Sequence, residues 1–272
     1  MMAGALTRER AKGDRLAAAE QRRQVLEFLD RLALPPDGVL LVHSAFKRLS
    51  DAGFEPEPVL EALAEYMGDG TLLLPAMSWR AVTPASPTFD ARTTPAITGI
   101  LSESFRQRLA THRSLHPTHS FAGRGRLAGA LLGTHHLDTT PCSDNSPFGL
   151  LGPQGGHVLL LGVEMDSCTL VHHLEERFNP DRYLRPEIEK YSCTDLAGRT
   201  LPVRTRRHFK LMRNFWQFED RLAERGGVAR ATLGATQASA FAAAAMVEVI
   251  SERLQRDSDG TLARPGERGK LM

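Results

Sequence analysis

Two histidines and two glutamates lie within five positions of one another in the segment SCTLVHHLEE, residues 167–176. His172 and Glu175 are three positions apart, so on a helix their side chains share a face. A carboxylate bonded to one ring nitrogen fixes the tautomer of an imidazole and raises the basicity of the other nitrogen, as a general base near neutral pH requires. The adjacent His173 points about 100° away around the helix.

The spacing of these residues is also compatible with other interpretations. One is a plain helix start, capped by Ser167 or Thr169, with imidazoles and carboxylates in solvent. Another is a metal-dependent hydrolase that uses His172, His173 and nearby acids, although no HExxH motif is present. A serine nucleophile lacks the GxSxG elbow that would support it. A binding protein without catalysis is the last alternative.

Charge and cysteine content narrow the class of protein. The 34 Lys and Arg nearly balance the 32 Asp and Glu, so the chain lacks the global positive field of a nucleic-acid binder. Its 3 cysteines have no CxxC spacing, which favours a reduced, cytoplasmic protein. No apolar run approaches the ~20 residues of a membrane span. We predict neither a nucleic-acid nor a membrane partner.

Apolar periodicity predicts the elements that must position these groups. An amphipathic helix fills residues 1–35, and buried strands cover residues 38–44, 71–75 and 155–163. A helical period at residues 57–67 separates the first two strands, which indicates a parallel α/β unit. The Ala-rich residues 236–258 predict a C-terminal helix. We find no linker or repeat, so residues 1–272 are predicted to form one domain.

Small polar residues follow the predicted strands. His43 and Ser44, then Ser78, then Asp166 each come at a strand's carboxyl end. Ligands of open α/β sheets gather at that edge, so we expect a binding cleft there.

Five segments in order resemble the aminoglycoside 3-N-acetyltransferase family. They are VLLVHSAFKRLSDAG, GDGTLLLPAMSW, RSLHPTHSFAGRG, SDNSPFGLL and GGHVLLLGVEMDSCTLVHHLEE, and the resemblance runs from about Leu40 to the C-terminal helix. It implies a three-layer α/β/α sandwich distinct from the GNAT fold. It also implies direct transfer of acetyl from acetyl-CoA to an amine, with His172 as general base, Glu175 as its partner and no metal.

The resemblance also implies ligand contacts. The cofactor residues that it implies are His43, Ser44, Ala45, Phe46, Lys47, Arg48, Ser78, His116, Ser120 and Phe121, and the substrate residues are Asp144, Ser146, Asp166 and His173. Lys47 and Arg48 suit phosphates, but they also suit an exposed helix turn. His116 is alternatively a buried histidine satisfied by backbone.

Departures from the family pattern concern the acceptor. Cys168 stands where the family has Asn, and Leu115 stands where resistance enzymes often carry Asp. Aminoglycosides are polycations, and this chain is not notably acidic. The expected partners are therefore an acyl-CoA and a small amine, either an aminoglycoside-like aminosugar or an amine of natural-product biosynthesis. A homodimer is compatible with the sequence.

Overall fold

A computed structural model describes the backbone of residues 2–272 and the side chains of residues 17–272. Its helices are α1 (Met2–Leu32), α2 (Lys47–Asp51), α3 (Pro56–Tyr66), α4 (Ile100–Arg108), α5 (Ala128–Leu132), α6 (Pro147–Leu151), α7 (Leu170–Phe178), α8 (Pro180–Tyr183), α9 (Trp216–Glu224) and α10 (Ala243–Arg256), with a 3-10 helix at Met165–Ser167. Its strands are β1 (Val39–Ser44), β2 (Thr71–Pro75), β3 (Thr88–Asp90), β4 (His112–Arg113), β5 (Phe121–Gly125), β6 (His157–Leu161), β7 (Glu189–Thr194), β8 (Thr200–Thr205), β9 (Met212–Arg213), β10 (Ala229–Leu233), β11 (Thr236–Ala242) and β12 (Lys270–Leu271).

The main sheet has 7 strands in the order β10-β11-β6-β1-β2-β5-β4. At its centre β1 runs parallel to both β2 and β6, whereas the strands outside this trio join antiparallel. The predicted strand–helix–strand unit is confirmed as β1, α3 and β2. The carboxyl ends of the three parallel strands therefore share one edge of the sheet.

Side chains of β1 alternate between two apolar cores. Leu40 and Val42 pack with α1, α3 and α4 on one face, and Val39 and Leu41 pack with α7, α9 and α10 on the other. Both faces of a central parallel strand must be covered, which explains its continuous apolar run. The predicted three-layer α/β/α fold is confirmed.

The predicted N-terminal helix forms as α1, and residue 1 and the side chain of Leu16 lie outside the described part of the chain. It buries Val25, Phe28 and Leu29 against the sheet. The helix ends at Leu32 rather than at residue 35, because Ala33 takes a positive φ of 50° and two prolines follow.

The prediction of one C-terminal helix over residues 236–258 is wrong in its first part. Residues Thr236–Ala242 form β11, which pairs with β6 on one side and with β10 on the other. Helix α10 begins only at Ala243. Alanine favours helices intrinsically, but its small side chain also fits on either face of a strand, and the pairing of backbone groups in the sheet outweighs propensity.

Two small sheets lie outside the main one. β3, β7 and β8 form the first around a core that contains Phe89, Tyr191 and Val203, and β9 and β12 form the second. The segment of residues 79–95 contributes β3 to the first of these sheets. Within residues 2–272 we find no helix with the length and apolar character that crossing a bilayer requires.

Candidate active site

Helix α7 begins at the carboxyl edge of the sheet. Strand β6 ends at Leu161, and the 3-10 helix leads directly into α7. Although α7 has the composition of a surface helix, His173, Glu175 and Glu176 are all buried. The alternative of a solvent-exposed helix start is therefore wrong, and Thr169 at the N-cap position makes no side-chain capping bond.

The predicted pair is present. His172 Nδ1 lies 2.7 Å from Glu175 Oε2, and the two side chains are 13% and 0% exposed. Because the carboxylate accepts from Nδ1, the proton of the neutral ring belongs on Nδ1 and the lone pair on Nε2. Nε2 makes no hydrogen bond to the side chains or backbone described. It is the nitrogen available to a substrate.

The charge states of the pair follow from burial and neighbours. Burial lowers the pKa of His172 to about 4, against the opposing effect of the Glu175 carboxylate. Burial alone would raise the pKa of Glu175, but the charges and hydrogen bonds of His172 and Arg213 lower it to about 2. At neutral pH the site holds a neutral imidazole beside an ionised carboxylate.

Glu175 has two further partners that the sequence did not reveal. Arg213 Nε donates to its two oxygens at 2.9 and 3.1 Å, and the Thr261 hydroxyl donates at 2.6 Å. Both residues are fully buried. They lie 38 and 86 positions away in the chain, so no local spacing could have indicated them.

His208 was also missed. Its ring stacks on that of His172 with centroids 4.6 Å apart, and Phe215 meets His172 edge-on at 5.3 Å. These two rings fix the orientation of His172. His208 follows β8 in an irregular segment, where no periodicity singles it out.

Glu176, the second glutamate of α7, binds the neighbouring loop that contains Cys142. The Cys142 backbone N–H donates to both oxygens of Glu176 at 2.9 and 3.0 Å, and burial raises the pKa of Glu176 to about 7. His208 Nε2 lies 2.8 Å from Glu176 Oε1, without the alignment of a hydrogen bond. His173 Nδ1 bonds to the Cys142 carbonyl at 2.8 Å. His173 therefore also anchors this loop.

One group with metal-ligand chemistry occurs here among the described side chains. Ligand atoms of Cys142, Glu176 and His208 lie within 4.8 Å of one another. The group includes neither His172 nor His173, so the hydrolase alternative gains no support from it. The expectation that no metal is needed stays a prediction.

The predicted cofactor segment at the end of β1 divides into two kinds of residue. His43 Nε2 and the Ser44 hydroxyl are buried polar atoms without a hydrogen-bond partner among the described residues. Such atoms are uncommon and point to a role outside the fold. Phe46 instead packs in the apolar core with α1 and α3, and Ala45 is exposed.

The two cations that follow also differ. Lys47 pairs with Asp51 one helical turn away at 3.0 Å, and its side chain is 84% exposed, as in the exposed-turn alternative. Arg48 makes no ion pair with the side chains described between residues 17 and 272. It lines a groove of about 550 Å³ at the edge of the sheet.

That groove, here called the arginine groove, is lined by Arg31, Arg48, Gly162, Val163, Glu164, Glu219, Arg230, Ala231, Thr232, Gln237, Ala238 and Ser239. Arg31 donates to the Thr232 carbonyl, and Arg230 pairs with Glu219 at 3.1 Å. The groove therefore brings together three guanidinium groups beside the carboxyl ends of β1 and β6.

The remaining predicted cofactor residues are buried and bonded within the protein. Ser78 donates to the Pro117 carbonyl at 2.7 Å, and Ser120 donates to the Ala76 carbonyl at 2.6 Å. Phe121 packs edge-on against Phe148. Through these contacts Ser78, Ser120 and Phe121 support the loop between β4 and β5.

The predicted substrate residues have unequal surroundings. Asp144 is 72% exposed and lies 3.7 Å from His173 Nε2. Ser146 caps α6, accepting from Gly149 N–H and donating to the Ser143 carbonyl. Asp166 is paired with Lys270 at 2.6 Å.

Comparisons with known proteins agree with this architecture. A family profile described as Aminoglycoside 3-N-acetyltransferase matches residues 41–255. Aminoglycoside N(3)-acetyltransferase VII of Streptomyces paromomycinus is 31% identical over 172 residues, which cover 57% of this chain and 59% of that protein. The chain thus spans about three fifths of the length of this curated relative.

Solved structures are similar over most of both chains. A mutant of aminoglycoside acetyltransferase AAC(3)-IVa in complex with a gentamicin matches with a TM-score of 0.75 and 26% identity, over 90% of this chain and 92% of that one. AAC-IIIb bound to CoASH matches with a TM-score of 0.73 and 24% identity, over 86% and 96%.

Proposed function

Because the chain belongs to the aminoglycoside 3-N-acetyltransferase family, we propose that it transfers an acetyl group from acetyl-CoA directly to an amine of an aminoglycoside-like aminosugar. The observation that carries the proposal is the buried His172–Glu175 pair, in which His172 Nε2 makes no hydrogen bond to the described residues. The pair lies at the carboxyl edge of the sheet, where ligands of such folds gather. The relatives' names support the substrate class, and the geometry of the pair supports His172 as the base.

In this mechanism His172 acts as general base. Its ring is neutral at pH 7 and so can accept a proton at Nε2 while the acceptor nitrogen attacks the thioester carbonyl. The ionised Glu175 stabilises the imidazolium that forms. The new N–C bond replaces the C–S bond, and the imidazolium returns the proton to the departing thiolate.

We assign acetyl-CoA to the end of β1 and the arginine groove. His43 Nε2 and the Ser44 hydroxyl have no hydrogen-bond partner among the described residues and can meet the pantetheine amides or the thioester. Arg48, Arg31 and Arg230 line the groove next to them, and guanidinium groups bind phosphate oxygens in a bidentate way.

The acceptor side favours an amine with few charges over a strongly polycationic one, and so supports the second candidate, an acyltransferase for a biosynthetic amine. Glu164 already pairs with Arg268, and Asp166 with Lys270. Asp138 accepts from Ser143 and Asn145. Asp144 is therefore the exposed acid best placed for an ammonium group.

The test is thiol release from acetyl-CoA with a panel of amines. The panel contains 2-deoxystreptamine aminoglycosides, simple aminosugars and amines without a sugar. Release with an aminoglycoside, located by mass spectrometry, supports the first candidate. Release only with a less charged amine supports the second, and no release with any amine contradicts the transferase proposal. The homodimer and the single domain stay predictions.

A further inference from the structure

Glu175 is held more tightly than a pair with His172 requires. Its oxygens accept from His172 Nδ1, from Arg213 Nε and from the Thr261 hydroxyl. Arg213, Glu175 and Thr261 are all completely buried. Burying a guanidinium and a carboxylate together costs desolvation energy that an apolar pair would not, so the arrangement calls for an explanation beyond stability.

The guanidinium is itself fixed from behind. Arg213 Nη1 donates to the main-chain oxygens of Phe209 and Met272, and the Tyr183 ring lies 5.7 Å from the guanidinium carbon. The hydroxyl oxygens of Tyr183 and Thr261 lie 2.9 Å apart, so Tyr183 also supports the threonine. The donors to Glu175 are therefore held by contacts that do not include His172.

We propose that Arg213 and Thr261 are positioning residues that fix Glu175 and offset its charge, so that His172 keeps its proton on Nδ1 and an unprotonated Nε2. This inference rests on the proposed function, because it concerns the same base. Burial is the main cause of the lowered pKa of His172, but a carboxylate at 2.7 Å by itself favours a protonated imidazolium, which cannot accept a proton. The Arg213 charge opposes that protonation while leaving the hydrogen bond intact.

The charged and titratable groups around His172 come from several elements. They are Glu175 and Glu176 on α7, His208 after β8, Arg213 on β9 and His119 before β5. Of these, Arg213 is the cation in contact with Glu175. Thr261 lies beyond the part of the chain that the family profile matches, so the segment after α10 also supports the pair.

The experiment separates charge from geometry with two variants at one position. Arg213→Lys keeps the charge but loses the Nε contact, so kcat should fall about 10-fold with the acid limb of the pH profile unchanged. Arg213→Met loses both, so kcat should fall about 10- to 100-fold because Glu175 is no longer held in place, and the acid limb should move up by about one pH unit because the opposing charge is gone. KM for acetyl-CoA should stay within about twofold in both.

NMR titration of His172 in the unliganded protein gives a readout that does not need turnover. It should show a higher midpoint in Arg213→Met than in the parent protein. The matched control is Arg106→Met, which removes an arginine with a 7% exposed side chain from its carboxylate partner, Glu103, far along the chain from α7. It should lower stability without changing the pH profile.

An unchanged His172 titration and acid limb in a folded Arg213→Met protein would overturn the proposal. If that variant does not fold, Thr261→Val carries the test, since it is nearly isosteric and should lower kcat about fivefold. Full activity in Thr261→Val would then refute it. Retained turnover in His172→Gln would instead refute the base itself, a failure that the titration keeps separate from that of Arg213.

Discussion

His116 and His172 are both buried histidines that the sequence singles out, and they use their ring nitrogens in opposite ways. His116 Nδ1 accepts from the backbone N–H of Thr118 and His119 at 3.3 and 3.0 Å, and its Nε2 lies 3.2 Å from the Thr205 hydroxyl. Its proton therefore belongs on Nε2. In His172 the Nδ1–H group donates to the Glu175 carboxylate, and the Nε2 lone pair has no hydrogen-bond partner among the described residues.

Burial alone therefore does not identify a catalytic histidine. Both rings lie in one row with His119 and His208, with successive centroids 4.6 to 5.9 Å apart. Only a nitrogen with an unused lone pair can take a proton from a substrate. His116 has no such nitrogen, and so it matches the alternative of a histidine satisfied within the fold.

The first prediction distinguishes His172 from His116 by the effect of substitution on turnover. His172→Gln should lower turnover by about 10²–10⁴-fold, because it removes the base, with little change in the melting temperature. The matched variant His116→Gln should instead lower the free energy of unfolding by roughly 2 kcal/mol and keep most of the turnover. Steady-state kinetics and denaturant unfolding of both proteins make the measurement. Equal losses of turnover would contradict the distinction.

The next prediction concerns the lowered pKa that the two buried histidines have in common. Burial lowers the pKa of His172, His208 and His135 to about 4, from 6.5, and that of His116 well below 6.5. Between pH 6.5 and 4 the unfolded chain binds more protons than the folded one, so the free energy of unfolding falls as the pH falls. Each group contributes at most about 1.4 kcal/mol per pH unit.

Denaturant unfolding at pH values of about 7, 6 and 5, which span the ordinary titration range of histidine, measures this loss. His135→Gln should make the pH dependence shallower, because it removes one histidine whose pKa is lowered by burial. The ring of His135 contacts Ser114 and the Pro141 carbonyl rather than substrate, so the variant tests the fold and not the site. A free energy of unfolding that does not change across this range would show that these rings are not held neutral.

The last prediction compares the two cations that follow β1, Arg48 and Lys47, and concerns a modest change in KM. Arg48→Ala should raise KM for acetyl-CoA about 10-fold, because the side chain lines the arginine groove and has no ion pair among the described residues. Lys47→Ala is the control, since Lys47 already pairs with Asp51 in solvent and should change KM by less than about twofold. Kinetics with varied acetyl-CoA decide between them, and equal effects would remove the groove from the cofactor site.

The elements were predictable where local pattern and tertiary contacts agree. β1 and β2 are apolar runs between turn residues, and they formed almost as predicted. β11 was mistaken for a helix because its alanines favour a helix locally, while the strand β6 with which it pairs lies far away in the chain. The His172–Glu175 contact was predictable for the opposite reason, since both residues belong to one helical turn.

The α/β class and the pairing of His172 with Glu175 could be predicted from the sequence, because both depend on patterns of residues that are close together in the chain. Only the tertiary structure decided which ring nitrogens remain free, which cations stay unpaired among the described residues and that Arg213 and Thr261 hold Glu175. The two contacts to Glu175 join residues 38 and 86 positions apart. Chain folding brings such partners together, and no spacing along the chain records them.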